Sequence, residues 1–224
     1  MKILVISDIH NDIESCMEYV DKLSLLDFDV LVCPGDFTDV PPKGLTSIEI
    51  AKIIIEELKT LKKPILAVPG NWDKELINLF EKEGVNLHGK GKIIENVGFY
   101  GFGGAKTPFN TFFEPSEEEM EDGLEKAVKE ILEAKTKVQV THAPPARTKI
   151  DLAYTGAHVG SEAVRRVIEK YKPKVAISAH IHEARGIDDL NGTKLINSGR
   201  FPEGYFGLVV IKDGNVEAKI MNLI

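Results

Sequence analysis

Five short apolar runs, each typical of a buried strand, end just before side chains that can bind metal ions. The runs cover residues 3–7, 30–33, 65–68, 138–141 and 175–178, and the side chains that follow them are Asp8 and His10, Asp36, Asn71, His142, and His180 and His182. Ligands in α/β folds gather just beyond the carboxyl ends of buried strands. A shared metal site is therefore the best explanation of this recurrence.

Between these runs, the spacing of apolar residues predicts amphipathic helices. The helix after the first run has an apolar face of Ile13, Met17, Val20 and Leu23. Further helices are expected over about 46–61, 72–83 and 161–171. A capping-box pattern at Ser116 and Glu119 opens one more, whose core face is predicted to be Met120, Leu124, Val128 and Ile131.

The remaining apolar segments predict strands joined by tight turns. Residues 91–95 and 98–102 indicate a hairpin. The last quarter is expected to contain strands only, over 185–188, 194–197, 205–211 and 216–220, with Asn-Gly and Asp-Gly turn pairs between them. The pattern as a whole predicts an α/β fold in which two packed sheets are flanked by helices. No repeat or linker divides the chain, so a single domain over 1–224 is expected.

Composition narrows the classes of function. A chain of 224 residues suits one domain, or a domain with a small appendage. Its net charge of −7 argues against general binding of nucleic acids, which requires a basic surface. Cys16 and Cys33 are interpreted as buried thiols. Without a secretion signal or a long apolar segment, a cytoplasmic protein with no membrane attachment is expected.

The donor types indicate which metals would bind. Carboxylate, imidazole and amide donors together suit Mn²⁺, Fe, Zn²⁺ or Ni²⁺ better than Ca²⁺. Gly35 and Gly70 allow tight turns that bring the backbone close to a metal or an anion. Seven candidate ligands are too many for one ion and suit two.

The chain resembles the calcineurin-like metallophosphoesterase superfamily. The five motifs of that superfamily occur in this sequence in the same order. They are Asp8-Ile9-His10, Gly35-Asp36-Phe37-Thr38-Asp39, Gly70-Asn71-Trp72-Asp73, Thr141-His142 and Ala179-His180-Ile181-His182. The resemblance implies a two-sheet β-sandwich flanked by helices in four layers, α/β/β/α. It also implies that Asp8, His10 and His182 hold one metal, that Asn71, His142 and His180 hold the other, and that Asp36 bridges both. Residues 141–145, 156–161 and 179–183 resemble the small single-domain members similar to metallophosphoesterase-domain proteins.

The resemblance implies hydrolysis of a small phosphate ester, a phosphodiester or else a phosphomonoester, with a metal-bridging hydroxide as nucleophile. Two divalent ions, the two carboxylates Asp8 and Asp36 and one hydroxide leave a net charge of about +1, which attracts a phosphate. Mn²⁺ is the first expectation for the metal. The residues expected to take part in catalysis are Asp36, Asn71, His10 and His158.

One position departs from the family pattern. The family commonly has histidine after the motif asparagine, and this chain has Trp72. Indole cannot act as a general acid near neutral pH. Trp72 is interpreted either as a wall of the pocket or as a core anchor at the start of a helix. His158 either approaches the phosphate, together with the amides at the start of the Ser161 helix, or is a solvated loop histidine.

Other polar and aromatic residues allow structural or functional interpretations. Asp39 is interpreted as a supporting residue or turn cap rather than a ligand, and His88 as structural. Arg200 is interpreted as a surface arginine, with contact to substrate as the alternative. The loop residues Phe109, Phe112 and Phe113 could cap a base-like substrate, form a subunit contact or pack in the core.

Two other functions compete with the phosphodiesterase. A nuclease of the same superfamily is one, although the acidic balance and the lack of a basic stripe disfavour it. A non-catalytic scaffold, such as the retromer subunit of this fold, is the other, and it predicts eroded ligands, whereas all seven are intact here. The sequence leaves open whether the chain forms a homo-oligomer.

Overall fold

The computed structural model describes residues 1–224 and contains two β-sheets that pack face to face between helices. The strands are β1 (Lys2–Val5), β2 (Val30–Cys33), β3 (Ile65–Ala67), β4 (Lys90–Ile94), β5 (Val97–Phe102), β6 (Thr136–Thr141), β7 (Val175–Ser178), β8 (Gly186–Leu190), β9 (Thr193–Asn197), β10 (Tyr205–Lys212) and β11 (Asn215–Asn222). The helices are α1 (Ile13–Leu23), α2 (Ser47–Lys59), α3 (Ile77–Glu83), α4 (Glu117–Lys129) and α5 (Glu162–Tyr171).

Both sheets combine parallel and antiparallel pairs: the first is antiparallel only on the side of β10 and β11, and the second is antiparallel at both edges. The first has the order β11-β10-β1-β2-β3, with β1, β2 and β3 parallel. The second has the order β4-β5-β6-β7-β9-β8, with β5, β6, β7 and β9 parallel. Parallel strands end at the same edge of their sheet. The loops after β1, β2 and β3, and those after β6 and β7, are therefore brought together in two groups.

The alternation of side chains along each strand builds the layers. Ile3 and Val5 point into the core between the two sheets, whereas Leu4 and Ile6 pack with α1 and α2 on the outer face. On the outer face of the second sheet, α4 and α5 pack over Tyr100, Ala176 and Leu195. The order of layers is thus helix, sheet, sheet, helix, which confirms the predicted fold.

The elements deviate from the sequence prediction at a few positions. Met17 is half exposed, because α1 turns Cys16, Tyr19, Val20 and Leu23 toward the core instead. Ile131 is buried as expected but lies beyond the end of α4. The segment predicted as one helix over 72–83 starts with a 3₁₀ turn, Lys74–Leu76, before α3. The last quarter also contains 3₁₀ turns, at His182–Ala184 and Phe201–Glu203, so the expectation of strands only is wrong.

Two smaller expectations, the capping box and the buried thiols, are confirmed. α4 begins with the predicted capping box, in which Ser116 and Glu119 each bond the other's backbone. Cys16 and Cys33 are buried and unpaired. None of the helices combines the length and the apolar character that a membrane crossing requires.

Candidate metal centre

The candidate ligands lie on loops whose backbone is held in an uncommon conformation. Asp8, His10, Asp36 and His180 all have φ between 49° and 72°, the left-handed region. For a residue with a side chain this region costs roughly 1–2 kcal/mol. Hydrogen bonds between the loops after β1 and β2 stabilise this conformation. The amide of Asp8 donates to the Gly35 carbonyl (3.1 Å), and the amide of Ile9 donates to the Asp36 carbonyl (2.8 Å).

The first group of ligand atoms consists of Asp8, His10 and His182. The Nε2 atoms of His10 and His182 lie 3.2 Å apart, and Nε2 of His182 lies 3.5 Å from Oδ1 of Asp8. Asp8 is fully buried. All three side chains thus point one donor atom at the same small space.

The second group consists of Asp36, His142 and His180. Oδ2 of Asp36 lies 3.3 Å from Nε2 of His142. The amide oxygen of Asn71 joins this group, since it lies 2.9 Å from the same Nε2 atom. Asp36 also links the two groups, because its Oδ2 atom lies 3.7 Å from Nε2 of His10. The arrangement therefore brings together all seven candidate ligands, with Asp36 between the two sets.

Two observations within the protein indicate that this space suits cations. Oδ2 of Asp8 is buried and has no hydrogen-bond partner, which is costly for a carboxylate oxygen. Nδ1 of His142 lies 2.8 Å from the Pro34 carbonyl and must donate to it, so Nε2 faces the Asn71 oxygen. Nε2 of His142 and the Asn71 oxygen are then both acceptors, and two acceptors this close need a proton or a metal ion between them. The residues fit a pair of divalent metal ions.

The protonation states follow from the same packing. Burial raises the pKa of Asp8, but His182, His142 and His10 outweigh it and hold that pKa at about 2. Burial also raises the pKa of Asp36, and His142 and His10 reverse the effect and lower it. Burial lowers the pKa of His180 to about 4 and also lowers that of His10. Ionised carboxylates and neutral imidazoles are the forms that ligate metals.

His142 is the exception among the imidazoles. Burial lowers its pKa, but Asp36, Asp8 and the Pro34 carbonyl outweigh burial and raise it to about 9. The two buried carboxylates, Asp36 and Asp8, therefore stabilise the protonated form of the His142 imidazole. A metal ion bound by Nε2 would take the place of that proton.

Asp73 is a supporting residue that the sequence prediction did not place in the site. It is fully buried and accepts four hydrogen bonds, from the amides of Gly70, Phe37 and Thr38 and from the Thr38 hydroxyl, at 2.9 to 3.0 Å. It thereby ties the loop of Asp36 to the loop of Asn71. Burial and the nearby Asp36 raise the pKa of Asp73 to about 6. Its place two residues after Asn71 was the available sequence signal.

The two glycines leave space for the side chains of neighbouring candidate ligands. A Cβ atom on Gly70 would lie 1.9 Å from Oδ1 of Asp36. A Cβ atom on Gly35, which has φ of 104°, would lie 2.7 Å from Nδ1 of His142. Only glycine leaves room for the Asp36 carboxylate and for the His142 imidazole at these positions.

Trp72 forms the wall of a cleft, not a core anchor. It lines a cavity of about 330 Å³ with Lys74, Glu75 and Phe112. Its ring centroid lies 5.5 Å from that of Phe112, edge to face, and its amide donates to Oδ1 of Asp36 (3.2 Å). Phe112 and Phe109 are exposed, so neither packs in the core. The loop that carries Phe109, Phe112 and Phe113 therefore lies beside the candidate metal centre. The amide of Phe113 donates a hydrogen bond to the Asn71 carbonyl (2.9 Å).

His158 belongs to neither group of ligand atoms. Its Nδ1 atom bonds the buried carboxylate of Asp151 at 2.7 Å, and its side chain is about 45% exposed. Of the helix-start amides that one interpretation offered to an anion, those of Ala163 and Val164 already have acceptors within the protein. Glu117 already accepts from the Ala163 amide and the Ser161 hydroxyl, and Ser161 caps the amide of Val164.

Three other residues named from the sequence have defined surroundings in the structure. Asp39 contacts His10 (Oδ2 to Nδ1, 3.5 Å) and bonds Asn11, which suits the supporting role expected for it. His88 accepts from the Gly103 amide (3.0 Å) and packs against Phe102 and Phe113, which is a structural role. Arg200 lies in a cavity beside His182 instead of on an open surface.

Comparison with known proteins places this site in a family. The model of the calcineurin-like phosphoesterase family matches residues 1–184. An uncharacterized protein of Methanocaldococcus jannaschii is 36% identical over 229 residues, which cover 96% of this chain and 97% of that protein.

Solved structures share the fold at low sequence identity. A protein from Thermus thermophilus has a TM-score of 0.73 at 19% identity, with 97% of each chain covered. A dimetal phosphatase from Danio rerio has a TM-score of 0.70 at 12% identity, covering 100% of this chain and 96% of that one. With the motifs, the ligand geometry and the family match in agreement, the chain belongs to the calcineurin-like phosphoesterase family.

Proposed function

We propose that the protein is a dinuclear metal-dependent phosphodiesterase in which the whole chain acts as one phosphoesterase domain. The observation that carries the proposal is the convergence of two partly buried ligand groups on Asp36, with an unpartnered, buried Asp8 oxygen beside them. Family membership supports a metal-dependent phosphoesterase in general. The more specific claims, that the substrate is a phosphodiester and that the metal is Mn²⁺, are part of the proposal.

The ligand assignment follows the two groups. Asp8, His10 and His182 would hold one ion, and Asn71, His142 and His180 the other, with Asp36 between them. When bound, a metal pair supplies Lewis acidity and lowers the pKa of water enough to provide a nucleophile near neutral pH. The mixture of carboxylate, imidazole and amide donors supports Mn²⁺ as the first metal to test.

The protein's own residues would prepare the site in two ways. Asp73 fixes the loops of Asp36 and Asn71 relative to one another, so the ligands are in position before substrate arrives. The amide of Trp72 donates to Asp36 and orients the bridging carboxylate. Preorganisation of this kind avoids rearrangement during the reaction.

The leaving group would depart with little proton assistance from position 72. Indole cannot supply a proton near neutral pH, and general acid catalysis is typically worth about 10²–10⁴ in rate. Trp72 and Phe112 instead present an aromatic cleft of about 330 Å³ next to Asn71. Both features favour esters with an aryl leaving group.

The first test is turnover of bis-p-nitrophenyl phosphate by protein stripped of metal and then titrated with Mn²⁺. Activity should appear only with metal and should saturate as binding approaches two ions per chain. Asp36→Asn should abolish turnover and weaken both sites together. The matched control is Asp27→Asn, the same change in an exposed carboxylate that pairs with Lys2.

The results against the proposal are specific. Activity that survives exhaustive chelation would contradict metal dependence. Saturation at a single ion would contradict the dinuclear arrangement. A protein that binds two ions and hydrolyses no phosphate ester would favour the scaffold interpretation.

A further inference from the structure

Two arginines line a cavity of about 300 Å³ that shares a wall with the metal centre. The lining consists of Tyr154, His182, Glu183, Arg185, Arg200 and Glu203. His182 is a candidate metal ligand, so this cavity borders the candidate metal centre.

Arg200 is built into the fold next to the first ligand loop. Its backbone pairs with Ser7, the residue before Asp8, and the amide of Phe201 donates to the Ser7 carbonyl (2.9 Å). The hydroxyl of Ser7 donates to the Gly199 carbonyl (3.0 Å). The position of Arg200 is therefore fixed relative to Asp8.

The same turn is tied to the loop that carries the last two ligands. Asn197 is fully buried, and its side-chain amide donates to the Ile181 carbonyl at 2.8 Å, between His180 and His182. The oxygen of the same side chain accepts from the Gly199 amide (3.0 Å). Both ligand loops thus hold the turn that presents Arg200.

Arg185 reaches the cavity from the other side and is held by packing. Its amide donates to the His182 carbonyl (3.3 Å), and its guanidinium carbon lies 3.5 Å from the centre of the Tyr205 ring. Gly199, with φ of 77°, leaves the space that the aliphatic part of Arg185 fills. A stacked guanidinium loses little freedom when it binds an anion.

Neither guanidinium uses its hydrogen-bonding capacity within the protein. Nε of Arg200 is buried and has no partner. The ion-pair partner that both groups share is Glu203, at 3.7 Å from each, which is beyond hydrogen-bond distance. Glu203 is itself half exposed. Glu183 on the same wall accepts from the Tyr154 amide (3.0 Å).

We propose that Arg200 and Arg185 form a subsite for a second phosphate group of the substrate, next to the phosphate that the metals hold. The inference rests on the proposed function and names its substrate class, a phosphodiester that carries a further terminal phosphate. Paired guanidiniums offer planar, bidentate recognition of phosphate oxygens. On binding, the phosphate takes the donors that the protein leaves free and replaces Glu203 as their ionic partner.

The test compares two series of alkyl p-nitrophenyl phosphodiesters over a range of chain lengths. In one series the alkyl chain ends in a phosphate, and in the other it ends in a hydroxyl. The measured quantity is the ratio of kcat/KM between the two members of each pair. In the native protein with Mn²⁺ this ratio should favour the phosphate-ended ester at the chain length that spans the two sites. Arg200→Gln and Arg185→Gln should each lower the ratio by roughly 10- to 100-fold, as expected for the loss of charge-assisted hydrogen bonds.

Two further variants sharpen the comparison. Glu203→Gln removes the carboxylate that competes with the phosphate and should raise the ratio. Arg166→Gln is the matched control, since Arg166 is a half-exposed arginine that pairs with Glu121 between α5 and α4. It should leave the ratio as in the native protein.

Binding supplies a readout that does not depend on turnover. Calorimetric titration of the metal-loaded protein with an alkanediol bisphosphate and with the matching monophosphate should show tighter binding of the bisphosphate, and Arg200→Gln should remove the difference. A native protein that hydrolyses neither ester would contradict the proposed phosphodiesterase and leave the titration to decide the subsite. Equal kcat/KM for both esters at every chain length, or a preference that both arginine variants retain, would overturn the subsite.

Discussion

Asp73→Asn tests whether one buried carboxylate holds the two central ligand loops in register. The substitution keeps the shape of the side chain and replaces one acceptor oxygen by an amide donor. Oδ1 of Asp73 accepts from the amide and hydroxyl of Thr38, and Oδ2 accepts from the amides of Phe37 and Gly70. The new amide group must therefore face at least one N–H group that cannot turn away.

The cost can be worked out from these contacts. If the new amide faces Thr38, the hydroxyl can rotate to accept from it, and one buried N–H loses its partner. If the new amide faces Gly70 and Phe37, two buried N–H groups lose their hydrogen-bond partners. Each unsatisfied buried donor costs about 1–3 kcal/mol, and the side chain should adopt the orientation that leaves only one, so the free energy of unfolding should fall by about 1–3 kcal/mol. Metal affinity should fall by about 10- to 100-fold, as is typical when residues that support metal ligands are changed.

The assay pairs urea unfolding of the metal-free protein with Mn²⁺ titration of the folded protein. Both should be run above pH 7, where Asp73 with its pKa of about 6 is ionised. Asp151→Asn is the matched control. Asp151 is also fully buried and accepts from the amide and hydroxyl of Thr148 and from the amides of Arg147 and Gly160. It should lose similar stability while keeping its metal affinity.

Two results would refute this reasoning. Native stability in Asp73→Asn would show that the four hydrogen bonds are not energetically coupled to the fold. An equal loss of metal affinity in both variants would show that any loosening of the protein disturbs the metals, and that Asp73 has no specific role in positioning.

Further predictions concern the site and the stability of the fold. Gly70→Ala should abolish metal-dependent turnover in a folded protein, because the new methyl group overlaps the Asp36 carboxylate, and circular dichroism with Mn²⁺ titration would reveal a tolerated change. Rates across a series of phosphodiesters should fall steeply as leaving-group pKa rises, and Trp72→His should flatten that slope and help alkyl esters most. A flat series in the native protein would mean that another acid acts, with His158 as the first candidate. Burial lowers the pKa of His88 to about 4, so its neutral form stabilises the fold fully above pH 6.5, and stability should be lost as pH falls toward 4, by at most about 3 kcal/mol. His88→Asn keeps an acceptor for the Gly103 amide and should reduce this pH dependence, as urea unfolding at several pH values would show.

The sequence by itself determined the order of strands and helices and the identity of the candidate ligands. Apolar runs that end in Asp8, Asp36, Asn71, His142 and His180 locate the strand ends, because side-chain alternation and burial leave a local pattern. The helix caps are equally local, as the box at Ser116 shows. Features that depend on a few consecutive residues can be read from the chain.

The tertiary structure alone decided which partners these residues meet. Asp73 and Arg200 gain their roles from groups that are distant in sequence, Asp73 from the Asp36 loop and Arg200 from Ser7, nearly two hundred residues away. Trp72 became a cleft wall because Phe112 packs against it, and at the start of the Ser161 helix the Ala163 amide donates to Glu117. No local pattern encodes such contacts, since they arise only when parallel strands from two sheets bring separate loops to one place.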